Sequence, residues 1–130
     1  MSSHALRLSS PPDDVDTVHD FLADVWKSSS VDPMERFRFE TALIELAANV
    51  MRHAAGRDGV TCSVTIQVSD SSIEAELVDD GEPGDIDLDR AMPDTLEESG
   101  RGIPLIRALV DEVVYSRTGD ANRWHIARSL

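Results

Sequence analysis

Val60-Thr61-Cys62-Ser63-Val64-Thr65-Ile66-Gln67-Val68 alternates apolar with polar side chains, the period of two that belongs to a strand with one buried and one wet face. Ser69-Asp70-Ser71-Ser72 then turns the chain, and Ile73, Ala75 and Leu77 alternate with Glu74 and Glu76. The pattern predicts a second strand that ends near Val78-Asp79 and pairs antiparallel with the first. A hairpin with one apolar face needs a cover. The residues before it supply one. Asp32-Pro33-Met34-Glu35 combines a side-chain acceptor, a first-turn proline and a glutamate placed to reach back, and this starts a helix. Phe39, Leu43, Leu46, Ala47, Val50 and Ala54 share one face of that helix, and Gly56 with Asp58-Gly59 stops it after roughly 23 residues.

Toward the N-terminus, Asp13 or Asp14 caps a helix carrying Val15, Val18, Phe21-Leu22 and Val25-Trp26 at helical spacing, until Ser28-Ser29-Ser30 breaks it. Before it, Ala5-Leu6-Arg7-Leu8 reads as a short edge strand closed by Ser9-Ser10-Pro11-Pro12. Toward the C-terminus, the stretch from Asp80 to Ser99 has poor periodicity, eight acids and the single base Arg90, the composition of a disordered loop or a functional lid. Gly100-Arg101-Gly102 leads into a helix over Ile103–Val110, and Val113–Ser116 and Arg123–Ala127 read as two last strands around a turn at Thr118–Asn122. The expectation is one α/β domain over residues 1–130. It is a two-layer sandwich of a mixed, mostly antiparallel sheet on about three helices, with a lid over about 80–101.

Composition narrows the function. The chain has 130 residues, 41% of them hydrophobic, which suits a single core. Lys and Arg number 12 against 25 Asp and Glu, a formal charge of −13 that argues against nucleic-acid binding. No apolar run reaches membrane-spanning length and Met1-Ser2-Ser3-His4 does not open a signal peptide, so a cytoplasmic protein without membrane contact is expected. The single cysteine, Cys62, permits no intrachain disulfide and no thiolate zinc site, and the single lysine, Lys27, lies in no Gly-x-x-x-x-Gly-Lys-Ser/Thr loop. Phosphate chemistry here must use arginine, backbone amides and a metal ion. Asp85, Asp87 and Asp89 imitate a calcium loop, but Arg90 and Leu96 stand where its glycine and glutamate belong. Neither His-Glu-x-x-His nor Gly-x-Ser-x-Gly occurs, which removes zinc proteolysis and the serine-hydrolase elbow.

Glu45, Asn49 and His53 follow one another at four-residue steps along the long helix, with Arg52 beside them. Glu45 and Asn49 lie roughly 100° from the centre of the apolar stripe, at the rim of the buried face. Asparagine is a poor helix former, and a neutral oxygen ligand for Mg²⁺, with phosphates and water completing the shell, would explain it. Glu45 one turn earlier is placed to take a proton from an attacking hydroxyl. The plainer alternative is a solvated acid, a locally hydrogen-bonded asparagine and a histidine near the helix C-terminus. Gly100-Arg101-Gly102 ahead of a helix lets backbone amides and the helix dipole approach phosphate oxygens, or is simply a flexible turn.

Glu45-Leu46-Ala47-Ala48-Asn49-Val50-Met51-Arg52-His53-Ala54, then Asp79-Asp80-Gly81-Glu82-Pro83, then Gly100-Arg101-Gly102-Ile103-Pro104-Leu105-Ile106 resemble, in order, the N-box and two glycine boxes of an ATP-binding superfamily. Its members include DNA gyrase, heat-shock protein 90, histidine kinases and MutL. Within it the chain is most similar to the small anti-sigma-factor serine kinases of bacterial stress and sporulation control. The resemblance implies a Bergerat-type fold that binds ATP and Mg²⁺, with Asn49 on the metal and Glu45 as general base. Asp79 would accept the adenine amino group and Gly81 would make room for the ring. Gly100, Arg101, Gly102 and Ile103 would lie at the phosphates, and Arg52 and His53 would line the nucleotide. It also implies a sigma factor and an anti-anti-sigma protein of STAS type as partners, and a homodimer. Pro83 replaces the second glycine of the first box, and Glu98 stands where some relatives carry a phosphate-reaching arginine. The alternative is a regulatory module that binds ATP without phosphoryl transfer. A histidine kinase catalytic domain is a third option, weakened by the lack of a helical phosphoacceptor region in these residues.

Overall fold

The computed structural model describes residues 2–53, 59–81 and 102–130. Among them the elements run β1 (Ser2–Ser10), α1 (Val15–Lys27), α2 (Pro33–His53), β2 (Val60–Val68), β3 (Ser72–Asp79), α3 (Gly102–Leu109), β4 (Glu112–Thr118) and β5 (Ala121–Ser129). The five strands form one sheet in the order β1-β2-β3-β5-β4, and the expected mixed, mostly antiparallel sheet is antiparallel at every ladder described. The expected lid over about 80–101 lies outside the described residues except for Asp80 and Gly81. Among the described residues no helix is long and apolar enough to cross a membrane.

The helix starts follow from capping. Asp14 accepts from the Asp16 amide at 2.9 Å and completes a capping box with Thr17, which selects Asp14 over Asp13. Asp32 accepts from the Met34 amide at 2.9 Å ahead of Pro33. Arg36 holds the intervening loop by donating to the carbonyls of Val31 and Ser29. The strands outrun the side-chain pattern because backbone pairing, not alternation, sets their length. β1 pairs with the whole of β2, from Ser2 opposite Val68 to Ser10 opposite Val60, although only Ala5–Leu8 alternates cleanly.

One face of the sheet, through Val64, Ile66, Ile73, Leu77, Trp124 and Ile126, packs on Val18 and Leu22 of α1, Phe39, Leu43 and Leu46 of α2, and Ile106 of α3. The other face carries polar pairs such as Glu76 with Arg123 and Glu74 with His125. Arg128 of β5 ties the layers together at one end. It pairs with Glu35 in the first turn of α2 and donates to the Leu109 carbonyl at the end of α3 at 2.9 Å. Its hydrogen bond holds the Glu35 carboxyl below the usual glutamate range, against burial, which pushes the other way. A depressed folded-state value means that the pair stabilises fully above the pH at which an unfolded glutamate titrates, around 4.3, and that this stabilisation is lost as pH falls through the folded value. Glu35→Gln is therefore expected to unfold at lower urea concentration than wild type at pH 7, with the gap narrowing as pH drops below about 4.3. A gap independent of pH would refute the link.

Candidate functional site

Alternation along β3 and β5 continues past their apolar residues. Asp79 follows Ile73, Ala75 and Leu77 onto the inner face, and Asn122 precedes Trp124 and Ile126 on it. Each is 4% exposed, and they are the buried polar residues among those described. Register places Cys62, Asp79, Asn122 and Arg117 opposite one another on four adjacent strands. A buried polar pair must be satisfied, and this one is. Oδ1 of Asp79 accepts from the Gly81 amide at 2.8 Å and from Nδ2 of Asn122 at 2.9 Å. Nδ2 also donates to the Gly81 carbonyl at 3.2 Å, and Oδ1 of Asn122 accepts from Tyr115 at 2.5 Å and Arg117 at 3.0 Å. Arg117 reaches the same Gly81 carbonyl at 3.0 Å. Among the described residues none donates to Oδ2 of Asp79.

Cys62 sits beside this network at 2% exposure. Burial, with the charges of Asp79 and Asp80 adding to it, pushes its thiol up to about 12. It is therefore a neutral packing group and not a nucleophile.

Arg128, which anchors the start of α2, lies opposite Ile73. α3 ends at the same anchor, where Arg128 donates to the Leu109 carbonyl. Glu45 and Asn49 are partly buried, at the border of the stripe formed by Phe39, Ala42, Leu43, Leu46, Ala47 and Val50. Arg52 is exposed, and His53 is the last residue of α2. Gly102 and Ile103 open α3. Gly100 and Arg101 lie outside the described residues.

The sequence reading missed Asn122, Tyr115 and Arg117. Asn122 ends the stretch Thr118-Gly119-Asp120-Ala121-Asn122, which reads as a turn and hid the start of a strand. The usable signal was its parity with Trp124 and Ile126, which puts a polar residue on a face reserved for apolar ones.

The arrangement offers a buried carboxylate with no described donor on Oδ2, and a helix rim carrying an acid and an amide. Known proteins share this fold. The histidine kinase domain of the blue-light activated histidine kinase of Erythrobacter litoralis superposes with a TM-score of 0.61 at 17% identity, over 89% of this chain and 60% of that one. The Acinetobacter baumannii histidine kinase AdeS superposes with a TM-score of 0.54 at 19% identity, over 99% of this chain and 68% of that one. At such identities the likeness is one of fold, and the chain spans only part of each kinase structure. No curated protein sequence matches the chain. Residues 8–126, from β1 to β5, match the histidine kinase-like ATPase domain. The chain belongs to the histidine kinase-like ATPase domain family, and ATP binding is the property this membership implies.

Proposed function

We propose that the protein is an anti-sigma-factor serine kinase of the cytoplasm. It binds Mg-ATP, sequesters a sigma factor and phosphorylates a serine on an anti-anti-sigma partner of STAS type. The observation that carries this reading is the buried Asp79 carboxylate, held through Oδ1 by the Gly81 amide and Asn122, in a chain that matches the histidine kinase-like ATPase domain over residues 8–126. In it Oδ2 of Asp79 accepts the adenine amino group, with Gly81 leaving room for the ring. The phosphates are assigned to Gly100, Arg101, Gly102 and Ile103, and further nucleotide contacts to Arg52 and His53. The amide oxygen of Asn49 suits Mg²⁺, which takes one or two protein oxygens when phosphates and water fill the shell. When bound, the metal neutralises charge on the phosphates. Glu45 receives the proton of the serine hydroxyl as its oxygen bonds to the γ-phosphorus and ADP leaves.

The charge of −13 suits the basic surfaces of a sigma factor and disfavours nucleic acid or an anionic membrane. β1, at the edge of the sheet, offers backbone groups to a second copy, which supports a homodimer. The test is phosphate transfer from labelled ATP to a STAS-type substrate. Glu45→Ala is expected to slow transfer by roughly 10²–10⁴-fold while still binding ATP. Equal, near-zero rates in wild type and variant would support the second reading, an ATP-binding regulatory module that acts by protein contact alone.

A further inference from the structure

We propose that Asn122 is a positioning residue that fixes Asp79 as a reader of an exocyclic amine, so that selection for an aminopurine is set from β4 and β5 and not by Asp79 alone. The inference rests on the reading of Asp79 as the nucleobase acceptor. The terminal torsion of an aspartate is broad and two-fold when unconstrained. Here Nδ2 of Asn122 bridges the two ends of the turn leaving β3, at 2.9 Å from Oδ1 of Asp79 and 3.2 Å from the Gly81 carbonyl. The Gly81 amide closes on the same Oδ1 at 2.8 Å. Oδ1 is thereby engaged twice, and among the described residues none donates to Oδ2.

The orientation of the asparagine amide is chemically determined. Its oxygen accepts from the Tyr115 hydroxyl at 2.5 Å and from Arg117 at 3.0 Å, and a guanidinium can only donate. Flipping the amide would set its NH₂ against Arg117 and its oxygen against the Asp79 carboxylate, two repulsive contacts in place of two bonds. The chain of constraint thus runs from Arg117 and Tyr115 on an edge strand, through Asn122, to Asp79. Tyr115 is itself held against Trp124, with ring centroids 4.8 Å apart. A ligand without the amine leaves Oδ2 of a nearly buried carboxylate unpaired, the situation in which polar sites discriminate most strongly.

The full chain is titrated with ATP and with purine riboside 5′-triphosphate, which keeps the phosphates and lacks the 6-amino group. Wild type is expected to prefer ATP by about tenfold or more. Asn122→Ala is expected to lose most of that preference through weaker ATP binding, with the affinity for the analogue little changed. Tyr115→Phe, which keeps the ring against Trp124 and removes only the hydroxyl, is expected to lose part of it, and it decides the matter if Asn122→Ala does not fold. A merely structural role would weaken both nucleotides equally. That result, or an unchanged preference in both variants, overturns the inference. A wild type that binds both nucleotides without preference overturns the reading of Asp79 on which it rests.

Discussion

Asp79→Asn will bind ATP about 100-fold more weakly than wild type, a loss of about 3 kcal/mol. The substitution is isosteric, and the asparagine oxygen can still accept from the Gly81 amide and from Asn122, as Oδ1 does now at 2.8 and 2.9 Å. The atom that changes is Oδ2, the proposed acceptor of the adenine amine, where an acceptor becomes an NH₂ donor opposed to the donor of adenine. The loss combines a hydrogen bond to a charged acceptor with a donor left unpaired, each worth about 1–3 kcal/mol. Titration calorimetry measures it, and thermal unfolding checks that the variant remains folded. ATP affinity within threefold of wild type would remove Asp79 from the site.

Phe39→Ala will lower the unfolding free energy by about 3–5 kcal/mol, a large part of the 5–15 kcal/mol typical of a domain. Phe39 is fully buried on α2 in the cluster that joins all three helices to the sheet. Its removal leaves a cavity where α2 meets that cluster, and α2 also carries Glu45 and Asn49. Urea unfolding followed by circular dichroism gives the value, and saturating Mg-ATP should recover part of it, because a ligand bound only by the folded state stabilises that state. A loss below about 1 kcal/mol would place Phe39 outside a packed core.

The hairpin of β2 and β3 and the helix over it were legible because their periods, two and 3.6, are set by one buried face each. Glu45 and Asn49 were legible for the same reason, since helical spacing alone put them at the rim of the stripe where the structure has them. The supporting half of the site was not. Asn122 acts through pairing with a strand 43 residues away in sequence, and no local pattern encodes that. β5 begins at Ala121 because it pairs with the end of β3, whereas its own residues there have the composition of a turn. The antiparallel character of every ladder described depends on the order and direction of the strands, which side-chain periodicity does not carry.

The central claim is that this sheet end binds Mg-ATP through Asp79 and Asn49. Calorimetric titration of ATP with and without Mg²⁺, on wild type and on Asn49→Ala, tests it most directly. The account predicts binding by wild type that is strengthened by Mg²⁺, and loss of that magnesium dependence in Asn49→Ala. Absence of binding by wild type, or an equal effect of Mg²⁺ on both proteins, would contradict it.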